Sequence, residues 1–208
     1  MMRPPLLQAH PWHGIADGDE APDVVNVFVE LVPTDTVKYE VDKVSGHLKL
    51  DRPQRFSNLC PTPYGFVPRT WCRDRVAALA MEMTGRQSVV GDGDPVDICV
   101  LTERPINHGS LILRARPIGG LRLFDRREAD DKLVGVLIDD PAFGDYTELD
   151  QVPRALIDRL RHYFLTYKQI PGPDTAAPVC EITDVYGATV ARDVIRRAMA
   201  DYDEGFSI

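Results

Sequence analysis

At 208 residues the chain is long enough for one domain that buries a sizeable core without disulfide or metal staples. A net charge of -8 and a pI of about 5.1 exclude a broad nucleic-acid or anionic-membrane surface, yet leave room for a small basic cluster that grips an anion. Four scattered cysteines (Cys60, Cys72, Cys99, Cys180) form no Cys-x-x-Cys pair, so they read as free thiols in a reducing compartment rather than zinc ligands. Met1 to His10 holds no apolar run of signal-peptide length, and no segment approaches the ~20 apolar residues of a membrane span. A cytoplasmic protein without membrane or nucleic-acid partners is expected.

Residues 1–22 are rich in proline and small or polar residues and read as an irregular, solvated arm. Asp17, Asp19 and Asp23 superficially resemble a metal cluster, and His10 and His13 lack an obvious third ligand nearby. Val24 to Leu31 is apolar on both faces, which predicts a strand buried on both; Glu30 stands out as an acid within it. Val37 to Asp42 alternates strictly, with Lys38, Glu40 and Asp42 on one face. Ser45-Gly46 then turns the chain into His47 to Pro53, so a hairpin is expected. Residues 54–70 are loop-like around Tyr64-Gly65-Phe66. Residues 70–90 read as an insertion in which Arg75 to Met83 is either a helical turn or extended, with no evident chemistry.

Gly91 to Leu101 is the most informative stretch. It sets Asp92, Asp94 and Asp97 within six residues, on a backbone bent by glycine and proline, and runs into an apolar strand. Carboxylates this close repel one another as anions, so such a cluster implies a cation between them. Hard divalent ions such as Mg²⁺ take oxygen ligands and are commonly shared between carboxylates and substrate phosphates. An EF-hand fails on spacing, and neither a Walker A loop nor a Gly-x-Ser-x-Gly elbow is present. A solvated turn is the bland alternative.

Ser110 to Arg116 and Leu121 to Phe124 read as strand, interrupted at Pro117 and Gly119-Gly120 by a turn or bulge. Asp125, Glu128, Asp130 and Asp131 form a second acidic loop, and Lys132 to Ile138 a further strand. Short strands without helix-length crossovers predict a small closed barrel. From Pro153 the chain reads as helical. Leu156, Ile157, Leu160, Tyr163, Phe164 and Tyr167 make one stripe, stopped by Pro171-Gly172-Pro173. Val190, Val194, Ile195, Ala198, Met199 and Tyr202 make another. The class is α+β.

Asp92-Gly93-Asp94-Pro95-Val96-Asp97 resembles the signature of family I soluble inorganic pyrophosphatases. Glu30, Lys38-Tyr39-Glu40-Val41-Asp42-Lys43, Asp51-Arg52, Tyr64-Gly65-Phe66, Arg116-Pro117-Ile118-Gly119, the Asp125/Asp130/Lys132 spacing and Tyr167-Lys168 resemble further elements of that family, in the same order, across roughly residues 23–170. The resemblance implies an OB-like five-stranded barrel with flanking helices that hydrolyses diphosphate with several Mg²⁺ ions per site, Mn²⁺ or Zn²⁺ standing as substitutes. It implies Asp92, Asp97, Asp125 and Asp130 as metal ligands and Asp94 as general base beside a metal-activated water. It implies Lys38, Arg52, Tyr64, Lys132, Tyr167 and Lys168 as phosphate contacts, with Glu30 and Glu40 in support. A homo-oligomer is also implied, compact bacterial members being hexamers and eukaryotic ones dimers. The enzymatic alternative is a phosphohydrolase acting on an organic or nucleotide diphosphate.

Overall fold

The computed structural model describes residues 8–169 and 179–206. Along these the elements are β1 (Val25–Leu31), β2 (Val37–Val41), β3 (Leu48–Pro53), β4 (Tyr64–Phe66), α1 (Asp74–Thr84), β5 (Val90–Gly91), β6 (Asp97–Leu101), β7 (Leu111–Asp125), β8 (Glu128–Ala129), β9 (Lys132–Leu137), a short 3-10 turn (Leu149–Gln151), α2 (Arg154–Thr166), β10 (Cys180–Gly187) and α3 (Ala188–Phe206).

Strands β1, β4, β6, β9 and β7 pair in that order, and β7 pairs back onto β1 to close a five-stranded ring. This is the α+β barrel with C-terminal helices that the sequence predicts. Closure depends on the length of β7. Leu111 to Ala115 pairs with β1, and Ala115 to Leu121 pairs with β9. Pro117 and Gly119 do not turn the chain out of this strand, the other outcome their sequence allows. They place a bulge in it, where a missing N–H costs no ladder bond and the strand can bend.

Alternation sorts the barrel side chains into two clusters. Val25, Val27, Ile98, Val100 and Leu133 pack with Val76 of α1 and Val194 and Ile195 of α3. Cys99, Leu101, Val134 and Val136 pack with Ile157, Leu160 and Phe164 of α2. The period-2 register of the strands thus meets the 3.6 period of the helices. Burying Leu160, 1% exposed, contributes about 1.5–3 kcal/mol.

Four local expectations are corrected. Arg75 to Met83 lies within a regular helix, α1, whose N-terminus is capped by Asp201 of α3 rather than by a neighbour in sequence. Cys180–Gly187 is a strand paired with β7, where helix alone was expected; its exposed alternate residues carry no strong apolar period. Pro153 precedes α2 instead of opening it. The arm is anchored, because Trp12 is buried and its indole N–H donates to the Thr70 carbonyl. His13 Nδ1 lies 2.8 Å from the Tyr202 hydroxyl, which gives that histidine a packing role. The Pro171-Gly172-Pro173 stop lies outside the described residues.

Candidate active site

The acidic turn sits where three segments meet. Gly91 leaves no room for a side chain: a Cβ there would lie 2.2 Å from the Cys72 carbonyl oxygen. The Asp94 N–H donates to Asp92 Oδ1 at 2.9 Å, which tightens the turn. Val96 is buried and anchors the exit into β6. Strand β6 runs parallel to β9, and their register sets Asp97 opposite Lys132. The Lys132 ammonium, buried, therefore pairs with both Asp97 and Asp130. Tyr64 of β4 reaches the same point through its pairing with Cys99. Its ring centroid stands 6.0 Å from the Lys132 ammonium, and that of Phe164 stands 5.8 Å away.

Burial first, then the charge of Asp130, raises the Asp92 carboxyl well above the usual carboxylate range. Asp97 is also raised, chiefly by burial; Lys132 and Tyr64 oppose that shift. Burial works against the Lys132 charge, but Asp130 and Asp97 outweigh it and hold that ammonium well above its ordinary value. Three carboxylates thus share one positive charge in a poorly solvated place. That is the electrostatic condition a divalent cation relieves.

The predicted anion grip gathers around this centre. In the hairpin, Lys38 pairs with Glu40 and stands 3.5 Å from Asp51, while Arg52 Nη1 contacts the same Asp51 carboxylate at 2.6 Å. The Arg52 guanidinium lies 5.7 Å from the Tyr167 ring centroid. Lys168 Nζ meets Asp125 Oδ2 at 2.5 Å. Burial pushes the Tyr64 and Tyr167 hydroxyls up, so both remain donors at neutral pH. Glu30 sits at a register shift between β1 and β4 and turns inward, accepting the Val41 N–H at 2.6 Å. Burial raises its carboxyl to about 8, which leaves it protonated at neutral pH.

A cleft of about 80 Å³ opens onto this arrangement, lined by Glu30, Lys38, Glu40, Tyr64, Asp94 and Asp97 together with Trp12 and Lys43. Of the thirteen predicted residues, Glu30, Lys38, Glu40, Tyr64, Asp94 and Asp97 line it, Asp92 accepts the Asp94 N–H, and Lys132 joins Asp97 to Asp130. Arg52, Tyr167, Lys168 and Asp125 do not line it and are linked to one another by ring contacts and an ion pair. Lys43, Asp51 and Trp12 were missed. Lys43 pairs with Asp94 but follows the end of β2, out of step with the Lys38/Glu40/Asp42 alternation. Asp51 bridges Lys38 and Arg52; its sequence shows only a charged hairpin. Trp12 arrives from an arm that carries no local signal.

Among the described residues, no three His, Cys, Asp or Glu side chains already converge into a metal cage. Ammonium groups stand between the carboxylates. The donor set nevertheless fits a hard divalent ion such as Mg²⁺, being all oxygen and carrying excess negative charge.

A family profile described as inorganic pyrophosphatase matches residues 27–203. The inorganic pyrophosphatase of Chlamydia trachomatis (serovar D) is 45% identical over 204 residues, which is 97% of this chain and 98% of that protein. Soluble inorganic pyrophosphatase 1 of Arabidopsis thaliana is 35% identical over 198 residues, covering 95% of this chain and 82% of that one. The crystal structure of the inorganic pyrophosphatase from Thermus thermophilus superimposes with a TM-score of 0.77 at 27% identity, over 94% of this chain and 99% of that one. The chain therefore belongs to the inorganic pyrophosphatase family.

Proposed function

We propose that this chain hydrolyses inorganic diphosphate to two phosphates by direct attack of an activated water, with Mg²⁺ as cofactor. The observation that carries the reading is the β6–β9 register, which draws the acidic turn and the acidic loop onto Lys132, in a chain of this family. Bound divalent ions supply charge neutralisation and lower the pKa of water toward about 7.

Asp92, Asp97, Asp125 and Asp130 would hold these ions. Asp94, at the cleft rim beside Lys43, takes the proton of the attacking water. Lys38, Lys132 and Lys168 offer point charges to phosphate, and Arg52 offers a planar fork. In the free protein these cations rest on Glu40, Asp51, Asp97, Asp125 and Asp130. Diphosphate oxygens would take the place of those carboxylates as partners of the lysines and Arg52. Tyr64 and Tyr167 donate hydroxyl protons to the phosphates. Glu30 and Glu40 orient the hairpin and its lysine. No covalent intermediate is required, since positioning and charge neutralisation suffice for phosphoryl transfer to water.

The test is phosphate release from diphosphate with Mg²⁺ by the wild type, Asp94→Asn and Asp97→Asn. Severe loss of rate is expected in both variants, with weaker Mg²⁺ affinity mainly in Asp97→Asn. Rapid release from nucleotides but not from diphosphate would replace this reading with the organic-diphosphate one.

The reading extends to one cytoplasmic domain acting as a homo-oligomer, with residues 1–22 and 70–90 as embellishments. Four buried free cysteines support a reducing compartment. No helix among the described residues is long and apolar enough to cross a membrane. Sedimentation and fractionation test these two points.

A further inference from the structure

The segment that precedes α1 carries no chemistry of its own, yet it holds the acidic turn on its backbone side. The Cys72 N–H donates to the Asp94 carbonyl at 2.8 Å, and the Gly93 N–H donates to the Cys72 carbonyl at 3.0 Å. The Trp71 indole N–H donates to the Gly93 carbonyl at 3.0 Å. Three hydrogen bonds from two residues therefore hold the peptide groups from Asp92 to Pro95, two of them lying between Asp92 and Asp94. Trp71 and the residues that follow Cys72 are themselves tied to α3. The Trp71 N–H donates to the Ala198 carbonyl at 2.9 Å. The Asp201 carboxylate, 4% exposed, accepts the backbone N–H groups of Arg73 and Arg75, each at 3.1 Å to Oδ2. The Trp71 ring lies 4.9 Å from the Phe206 ring, and a Cβ on Gly205 would lie 2.2 Å from it, so the indole has little freedom to turn.

We infer that Trp71 is a positioning residue for the acidic turn, and that α3 sets the spacing of Asp92 and Asp94 through Trp71 and Cys72. The inference rests on the proposed role of those two aspartates. Asp92 and Asp94 are joined by a single glycine, so the torsions at Gly93 decide how far apart their carboxylates stand. The indole bond to the Gly93 carbonyl restrains those torsions before any ligand arrives. Such restraint is how a binding constellation is kept at its working geometry. Trp71 touches neither carboxylate, and its effect passes entirely through the backbone it holds.

The test compares wild type with Trp71→Phe, which keeps an aromatic six-membered ring against Phe206 but removes the indole N–H together with its five-membered ring, so the loss of packing is read separately, from the melting temperature. Mg²⁺ binding is measured by calorimetry, alongside thermal melting and diphosphate turnover. Mg²⁺ affinity is expected to weaken about 2- to 10-fold, the range that corresponds to one neutral hydrogen bond. Asp201→Asn, which removes the charge that holds α3 to residues 73–75, should move affinity in the same direction. A lower melting temperature with unchanged Mg²⁺ affinity in Trp71→Phe would mean a merely structural role and overturns the inference. The two readings fail separately. A wild type that binds Mg²⁺ but leaves diphosphate intact removes the proposed reaction and keeps Trp71 under test by calorimetry. An active wild type with a Trp71→Phe variant of equal affinity removes the positioning role alone.

Discussion

Replacing Lys132 by methionine isolates the electrostatic problem at the centre of the site. Methionine preserves most of the volume, so the cavity term is small. What is lost is the ammonium shared by Asp97 and Asp130. The three side chains are 3%, 18% and 11% exposed, all well inside the range where solvent screening is weak. Removing one partner of such a buried ion pair costs about 3–5 kcal/mol. For a chain of this size that corresponds to a melting temperature lower by roughly 6–20 °C. The loss should depend on pH with a definite sign. Without Lys132 the Asp97 carboxyl is raised further above its unfolded value. A carboxyl raised in the folded state binds more protons folded than unfolded, so stability falls as pH rises through that window. The deficit is therefore larger at pH 8 than at pH 5. Calorimetric melting of both proteins in a chelator at these pH values, then with Mg²⁺ added, is the assay. Mg²⁺ should recover part of the deficit by supplying the missing positive charge. A variant that melts within 2 °C of wild type at pH 8 in chelator would refute the account of Lys132 as the counter-ion of two buried carboxylates.

Glu30→Gln should leave folding intact at neutral pH, because the buried acid is already protonated with a value of about 8, and glutamine can still accept the Val41 N–H. The wild type should lose stability as pH rises from about 4.5 to 8, and the variant should lack that part of the slope; parallel pH profiles would show that Glu30 is ionised. Gly65→Ala sets a Cβ 1.9 Å from the Phe28 carbonyl oxygen, a backbone atom that cannot move without parting β1 from β4. Little soluble protein is expected, and a normal melting curve would mean that the two strands stand further apart. Chelating divalent metal from the wild type should lower its melting temperature and restoring Mg²⁺ should raise it, by about 2.7 kcal/mol of stability at a hundredfold excess over the dissociation constant. A melt indifferent to Mg²⁺ would contradict metal binding by the folded state.

Much of the site was legible because its signals are local. Asp92, Asp94 and Asp97 lie within one turn, and their mutual repulsion implies a cation whatever the fold. The alternation of Lys38 and Glu40 and the stripe of Ile157, Leu160 and Phe164 show which residues share a face, because strand and helix periods are properties of the backbone. The two C-terminal helices and a small closed barrel follow from the same periods, while its five strands were implied by the family resemblance. Periodicity names a face but not its partner. That Lys43 meets Asp94, that Asp51 joins Lys38 to Arg52, and that Asp201 caps a helix more than 120 residues away were decided only when the chain closed on itself.

The same division explains the misreadings. Pro117 and Gly119 allow a turn or a bulge in isolation, and only their pairing with Gly135 and Val134 decides for a bulge inside one long strand. Strand β10 lacks an apolar alternation because it lies along one edge of β7, so its identity comes from that neighbour. Glu30 is anomalous as an acid in an apolar strand. The register shift against β4 turns it toward Val41, and burial there keeps its proton. Sequence alone determined which groups are present and which faces they share. Tertiary structure decided their distances, their solvation and hence their charge, because those depend on residues brought together from remote parts of the chain.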